Sequence, residues 1–236
     1  MIFYPAESSQ GYHHAHGRAA EFRVGDAGRT PELEPLEQAG YAVNTGVVQM
    51  SESVSGAAGV SGEDLSMLES QLGRKPSGVL KVERYCPAGH PQVIRYYPRS
   101  LSPEAEVLSP FPTLFWLTCP SLIRQISEFE SYGWIGRIEE KIRTEPDFRE
   151  EYHENHRSYC RERWETLLPR HREAVIGKGW EAVYRATGIG GIRDWDFVKC
   201  LHLQYAHQVG SSNVVGRFLQ EQFSLRPCKA PRSPVG

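Results

Sequence analysis

The stretch "TLFWLTCPSLIRQISEF" (113–129) decides the fold, because its hydrophobic pattern changes period in the middle. Residues 113–118 are an unbroken run of apolar and β-favouring side chains, the mark of a short strand. Beyond Pro120 the apolar positions fall at Leu122, Ile123, Ile126 and Phe129, which is the 3.6-residue repeat of a helix. Pro120 lacks a backbone donor and favours a sharp departure from the strand, so the chain turns from sheet to helix at Cys119.

Toward the N-terminus, two more strand-like runs precede this one, "GVLKVERY" (78–85) and "QVIRYY" (92–97), each bounded by Gly or Pro. Before them, "SGEDLSMLESQLG" (61–73) reads as a short helix. Ser61 caps it, Asp64 follows three residues later, Leu65, Leu68 and Leu72 share a face, and Gly73 ends it. Toward the C-terminus the helical period continues through Ile135, Ile138 and Ile142. "TEPD" (144–147) restarts it with Thr144 as cap and Pro146 in the first turn, and Phe148, Tyr152, Tyr159 and Trp164 mark a long helix. The charged run at 149–165 reads as a solvated face of that helix. A short helix at 180–191 is stopped by the glycines of "GIGG", a further one runs from Trp195 to Val209 with Asp194 as cap, and another covers 214–223. The expected fold class is α+β, a small antiparallel sheet of about three strands covered by several helices. The expected organisation is a disordered extension at 1–60, one domain at 61–223 and a flexible tail at 224–236.

That extension is rich in Gly, Ser, Ala and Glu and too poor in aliphatic residues to offset the entropy of ordering. Its "HHAH" (13–16) reads as a solvated histidine patch. A Pro/Ser/Glu-rich loop without structure of its own separates the second and third strands. The whole chain of 236 residues has a net charge of -2 from 27 basic and 29 acidic side chains, which offers nucleic acid and anionic membranes no electrostatic footprint. No apolar run suits a membrane span or a leader, and the five cysteines are odd in number and scattered. The expected setting is therefore cytoplasmic, with reduced thiols or metal thiolates. No partner or oligomeric state is legible.

In an up-down-up meander the first and third strands end at the same edge. Cys86 directly follows the first and Cys119 the third, and strands about 4.8 Å apart place them roughly 5–10 Å from each other, within reach of a shared metal. Both are followed by proline, although no Cys-x-x-Cys pair exists. "VKCLHLQYAH" (198–207) adds Cys200, His202 and His207. On a helix starting at Trp195, Cys200 and His207 share a face about 10.5 Å apart, with His202 opposite; a start near Leu201 would make Cys200 and His202 a loop-to-helix pair. Cys160 and Cys228 read as a packing thiol and a spare one.

The motifs "QLGRKPSG", "CPAGHPQV", "FPTLFWLTCP", "GIGG" and "VKCLHLQYAH" occur in an order that resembles the domain of unknown function 501 family, over about residues 71–219. The resemblance implies functional weight for Cys86, Pro87, Gly89 and Pro91, for Thr118, Cys119 and Pro120, and for Lys199, Cys200, Leu201, His202, Ala206 and His207. His90 stands where the family pattern is open, which weakens a Cys-x-x-x-His pairing with Cys86. Val214 stands where the pattern has proline. The resemblance implies no activity.

Three readings remain open. One is a metal-binding protein, with Cys86, Cys119 and Cys200 as thiolates and His202 or His207 as fourth donor, holding zinc or an iron–sulfur cluster. Another is an enzyme with Cys200 as nucleophile and a histidine base, acting on a phosphate-bearing substrate held by "GIGGIRDWD" and Lys199, although "GIGG" also reads as a tight turn. The third is an interaction module in which these cysteines and histidines are buried and hydrogen-bonded.

Overall fold

The structure is a computed structural model that describes residues 60–99 and 110–229. The expected extension up to residue 59, its histidine patch and residues 100–109 of the loop before the third strand lie outside the described residues.

Three strands, β1 (Val79–Tyr85), β2 (Pro91–Tyr96) and β3 (Phe115–Leu117), form an antiparallel sheet in the order β1-β2-β3, the expected meander. The two-residue side-chain period sends alternate residues to two different cores. Val93, Phe115 and Leu117 join the main helical core, whereas Ile94, Tyr96 and Trp116 join a second core with Val79 and Leu68. Leu68 belongs to α1 (Gly62–Leu72), which is built as its sequence suggests: Ser61 Oγ accepts the Asp64 N–H at 3.0 Å, and Gly73 closes the helix at φ 71°. On this side Tyr96 stacks on Trp116 with ring centroids 5.0 Å apart.

The main core is walled by α2 (Pro120–Ser131), α3 (Trp134–Thr144), α4 (Pro146–Thr166), α7 (Leu201–Gly210) and α8 (Val214–Gln222). A third, smaller core gathers Tyr97, Leu167, Val175 and Tyr184 under α5 (Pro169–Gly177) and α6 (Glu181–Arg185). The described residues thus make eight helices and a three-stranded antiparallel sheet, an α+β fold. None of these helices is long and apolar enough to cross a membrane.

Three local expectations change. Thr144 does not cap α4; it is the last residue of α3, and its hydroxyl donates to the Glu140 carbonyl. The charged run of α4 is more than a solvated face. Tyr152, Asn155, His156, Tyr159, Cys160 and Arg163 form a buried stripe at helical spacing, half of it written in polar residues that hide the period. Arg163 is fully buried and spends its guanidinium on carbonyls of Pro112, Tyr184 and Thr187, tying α4 to the segments before β3 and after α6. Finally, α7 begins at Leu201 instead of Trp195, because side chains take the backbone groups a longer helix would need. The Asp194 carboxylate accepts the Asp196 N–H, Tyr152 donates to the Phe197 carbonyl, and Glu139 and Glu130 accept the N–H groups of Val198 and Leu201.

"GIGG" folds as a packed turn. Ile189–Gly191 is a single 3-10 turn with Gly190 at φ 74° and Gly191 at φ 80°, a conformation that glycine adopts without strain. Three of the four N–H groups of "GIGG" are already taken: Gly188 donates to the Ile192 carbonyl at 2.7 Å, Gly191 to the Gly188 carbonyl at 2.9 Å and Ile189 to His156 Nδ1 at 3.0 Å. A Cβ on Gly188 would stand 2.3 Å from that same nitrogen. Gly188→Ala is therefore expected to lower stability by about 1–3 kcal/mol, the usual cost of overpacking, read as an earlier urea midpoint with unchanged far-ultraviolet circular dichroism.

Candidate metal centre

The turn between β1 and β2 brings a thiol and an imidazole to one place. Cys86 N–H donates to the His90 carbonyl and Gly89 N–H to the Cys86 carbonyl, both at 2.8 Å, with Gly89 at φ 76°. These bonds close a five-residue hairpin loop in which Cys86 and His90 are the paired ends. On the far side of β2, Cys119 is the N-cap of α2 and is fully buried. The Gln92 carbonyl accepts the N–H groups of Thr118 and Cys119, and the Thr118 hydroxyl donates to the Pro91 carbonyl, which pins this corner to the start of β2.

The residue that joins the two corners comes from the C-terminus. After α8 the chain runs back along α2: Phe223 stacks on Phe129 with centroids 4.0 Å apart, and Leu225 and Cys228 pack against the main core. Gln125 grips Arg226 by both backbone groups, donating to its carbonyl at 2.7 Å and accepting its N–H at 3.1 Å, while Ser121 donates to the same carbonyl. Two residues on, Cys228 Sγ lies 3.2 Å from Cys86 Sγ, 3.8 Å from Cys119 Sγ and 3.6 Å from His90 Nδ1. Cys86, His90 and Cys228 offer donor atoms that all lie within 4.8 Å of one another; Cys119 reaches this trio through Cys228. All five cysteines are free thiols.

The electrostatics of the cluster suit a cation. Burial, followed by the neighbouring thiols of Cys86 and Cys119, pushes the Cys228 thiol up to about 12, because a second negative sulfur cannot form nearby without a positive charge between them. His90 points the same way. Its Nδ1 has only the Cys228 sulfur, and its buried Nε2 has no hydrogen-bond partner among the described residues. Every other described histidine has a nitrogen or oxygen partner on its ring.

Of the residues singled out in the sequence, Cys86 and Cys119 both meet Cys228. Cys200 and His202 lie in a second group, with Glu130. There His202 Nε2 faces the Ile123 carbonyl at 3.1 Å and Nδ1 faces Glu130 Oε1 at 3.2 Å. A carbonyl and a carboxylate only accept, so both ring nitrogens donate and the ring is an imidazolium with no lone pair left for a metal. Burial alone would lower its pKa, but the hydrogen bonds to Cys200 and Glu130 outweigh it and hold the value up at about 10. Glu130 also accepts the Leu201 N–H at 2.6 Å, capping α7 where Cys200 offers no side-chain cap. His207 joins neither group. It is fully buried, accepts from Asn213 Nδ2 at 3.2 Å and stacks on Phe115, and burial lowers its pKa to about 3.

Sequence reasoning missed Cys228 and discounted His90. The available signals were the alternating Phe223 and Leu225 ahead of Cys228, which anchor an extended strap, and the Cys-x-x-x-His spacing across a hairpin turn. Cys160, read as a packing thiol, is buried and donates to the Thr187 carbonyl.

The family model described as "Protein of unknown function (DUF501)" matches residues 82–221. This span includes Cys86, His90 and Cys119 and stops short of Cys228. No curated protein and no solved structure matches the chain.

The histidines set opposite pH limbs. The raised pKa of His202 gives stabilisation that is complete below its ordinary value of 6.5 and is lost as pH climbs from there toward 10. The lowered values of His156 and His207, both about 3, give stabilisation present above pH 6.5 and lost as pH falls toward 3. Melting temperature should therefore decline above neutrality, and His202→Gln should flatten that alkaline decline while leaving the acid limb in place.

Proposed function

The chain belongs to the DUF501 family, and we propose that within it this protein is a metal-binding protein whose centre is formed by Cys86, His90, Cys119 and Cys228. The observation that carries the proposal is the convergence of three thiols from separate segments, 3.2 and 3.8 Å apart across Cys228, with an imidazole nitrogen at 3.6 Å. A tetrahedral zinc ion with Zn–S bonds of about 2.3 Å and a Zn–N bond of about 2.0 Å requires S···S edges of about 3.8 Å and S···N edges of about 3.5 Å. Of the three edges at Cys228, those to Cys119 and His90 lie within about 0.1 Å of these values, and because Cys119 falls outside the set of donors mutually within 4.8 Å, closing the tetrahedron draws its sulfur inward. The third is shorter than an edge yet well beyond the roughly 2.05 Å of a disulfide.

Three thiolates and an imidazole make a soft, closed donor set, the kind that holds zinc structurally. An iron–sulfur cluster needs its thiolates distributed over two or more irons. Sulfurs gathered within 4 Å of a shared partner favour a single ion. The N-terminus of α2 adds a partial positive charge beside Cys119, which caps it. Bound at this point, the ion would cross-link the β1–β2 turn, the β3–α2 corner and the C-terminal strap.

Anaerobically purified protein, assayed by plasma mass spectrometry, should contain about one zinc per chain and be colourless; broad absorption near 400 nm would replace zinc with a cluster, and a well-folded, metal-free protein would refute the proposal. Cys228→Ser should weaken zinc binding by more than about 100-fold, since removal of an outer-shell partner alone costs 10- to 100-fold. Cys200→Ser should leave zinc content unchanged, and loss of zinc in that variant would restore Cys200 to the site. Gln125→Ala, which frees the strap without touching a ligand, should weaken binding by about 10-fold or more.

A further inference from the structure

The same cluster has a property that a purely structural zinc site does not need. Cys86 and Cys228 are the two sulfurs in closest contact, 3.2 Å apart, and they differ in what holds them. Cys86 is fixed by the hairpin loop and is 4% exposed. Cys228 is partly exposed and sits on a strap clamped at Arg226, two residues away. Closing from 3.2 Å to a bond of about 2.05 Å requires a shift of roughly 1 Å, which a strap end supplies more readily than a hairpin.

The cluster is also reachable from solvent. Cys86 lines a cleft of about 460 Å³ with Arg84, Gln92, Tyr205, Gln208 and Gln220. Gln92 is 7% exposed and its side-chain amide has no hydrogen bond among the described residues, so this wall offers polar contacts to a small hydrophilic reagent. No carboxylate lines the cleft.

Resting on the metal-binding reading, we propose that Cys86 and Cys228 are a redox modification site, a dithiol that exchanges its metal for a disulfide when it meets a peroxide. In the first step the Cys86 thiolate, on the cleft wall, attacks one oxygen of hydrogen peroxide and, on protonation, water leaves and a sulfenic acid forms. In the second, the Cys228 thiol attacks that sulfur as the strap end moves in, the S–O bond breaks, and the departing oxygen takes the Cys228 proton and leaves as a second water, giving the Cys86–Cys228 disulfide. Two electrons pass from the two sulfurs to the peroxide. The ion loses two of its four donors and is released, while the strap becomes covalently joined to the β1–β2 turn. Cys119, 3.8 Å from Cys228, remains a thiol. A dithiol reductant and zinc reverse the change.

Zinc-loaded full chain treated with one to two equivalents of hydrogen peroxide tests this. Free thiols should fall by two of the five cysteines, zinc should appear on a chromogenic chelator in step with that loss, and non-reducing peptide mapping should show the 86-to-228 linkage as the first disulfide. Dithiothreitol and zinc should restore both counts. A first linkage from Cys119 to Cys228, oxidation to sulfinic acid without a linkage, or thiol loss with zinc retained would each overturn the proposal. Cys86→Ser should abolish the 86-to-228 product, whereas Cys200→Ser should leave it intact. The two readings fail separately. A chain that binds no metal but forms the 86-to-228 disulfide removes the metal centre and keeps the redox site; a chain that binds zinc and does not form this disulfide does the opposite.

Discussion

The spacing of strands in a sheet sets the problem that this structure solves. Cys86 and Cys119 leave β1 and β3 at one edge, but β2 lies between those strands, and two strand intervals amount to about 10 Å. The side chains close much of that gap, since the sulfurs of both cysteines lie within 3.8 Å of Cys228 Sγ. The two corners share one cluster because a third thiol, from outside the sheet, stands between them. The C-terminal strap supplies it, directed along α2 by the Phe223–Phe129 stack and held in register by Gln125.

A second constraint concerns how α7 is seated. Its N-terminus is capped from another helix by Glu130, and the same carboxylate faces the imidazolium of His202, one residue into α7. Half a turn or more along, Gln204 and His207 bond Asn213, which in turn caps α8 through the Gly216 N–H. Such a network tolerates little change, since removing one partner leaves a buried polar group without a bond. These residues, prominent in the sequence, are thus explained by the positioning of α7 against β3 and α8. They hold the cleft wall that Tyr205 and Gln208 present to the cysteine cluster.

The fold was legible where one physical signal dominated. The change of period at Pro120, the capping of α1 by Ser61 and the meander order followed from apolar spacing and turn chemistry. The meander in turn placed Cys86 and Cys119 at a common edge without any cysteine motif. What failed was controlled by partners distant in sequence. The start of α7 depends on Glu130, Glu139 and Tyr152, which no local pattern reveals. The buried stripe of α4 is obscured because Asn155, His156 and Arg163 each meet particular backbone groups inside, and composition alone assigns them to solvent. Cys228 was overlooked because a strap has no period; its position is set by single contacts over 100 residues away in sequence.

The family match ends before Cys228, so the proposed centre divides into a body and a closing piece. The body holds Cys86, His90 and Cys119 on elements fixed by the sheet, and the strap completes the donor set. In such an arrangement the free energy of metal binding is also the free energy of docking the strap, because the docked strap and the complete site are one state. The stack of Phe223 and the grip on Arg226 reduce the ordering that the metal must drive, since they hold the strap within two residues of the cluster by contacts of their own. A clamp that pre-positions Cys228 serves the disulfide equally well. On the proposed readings, metal ion and disulfide are alternative fasteners for the same joint, and the oxidation state of two sulfurs decides which of them closes it.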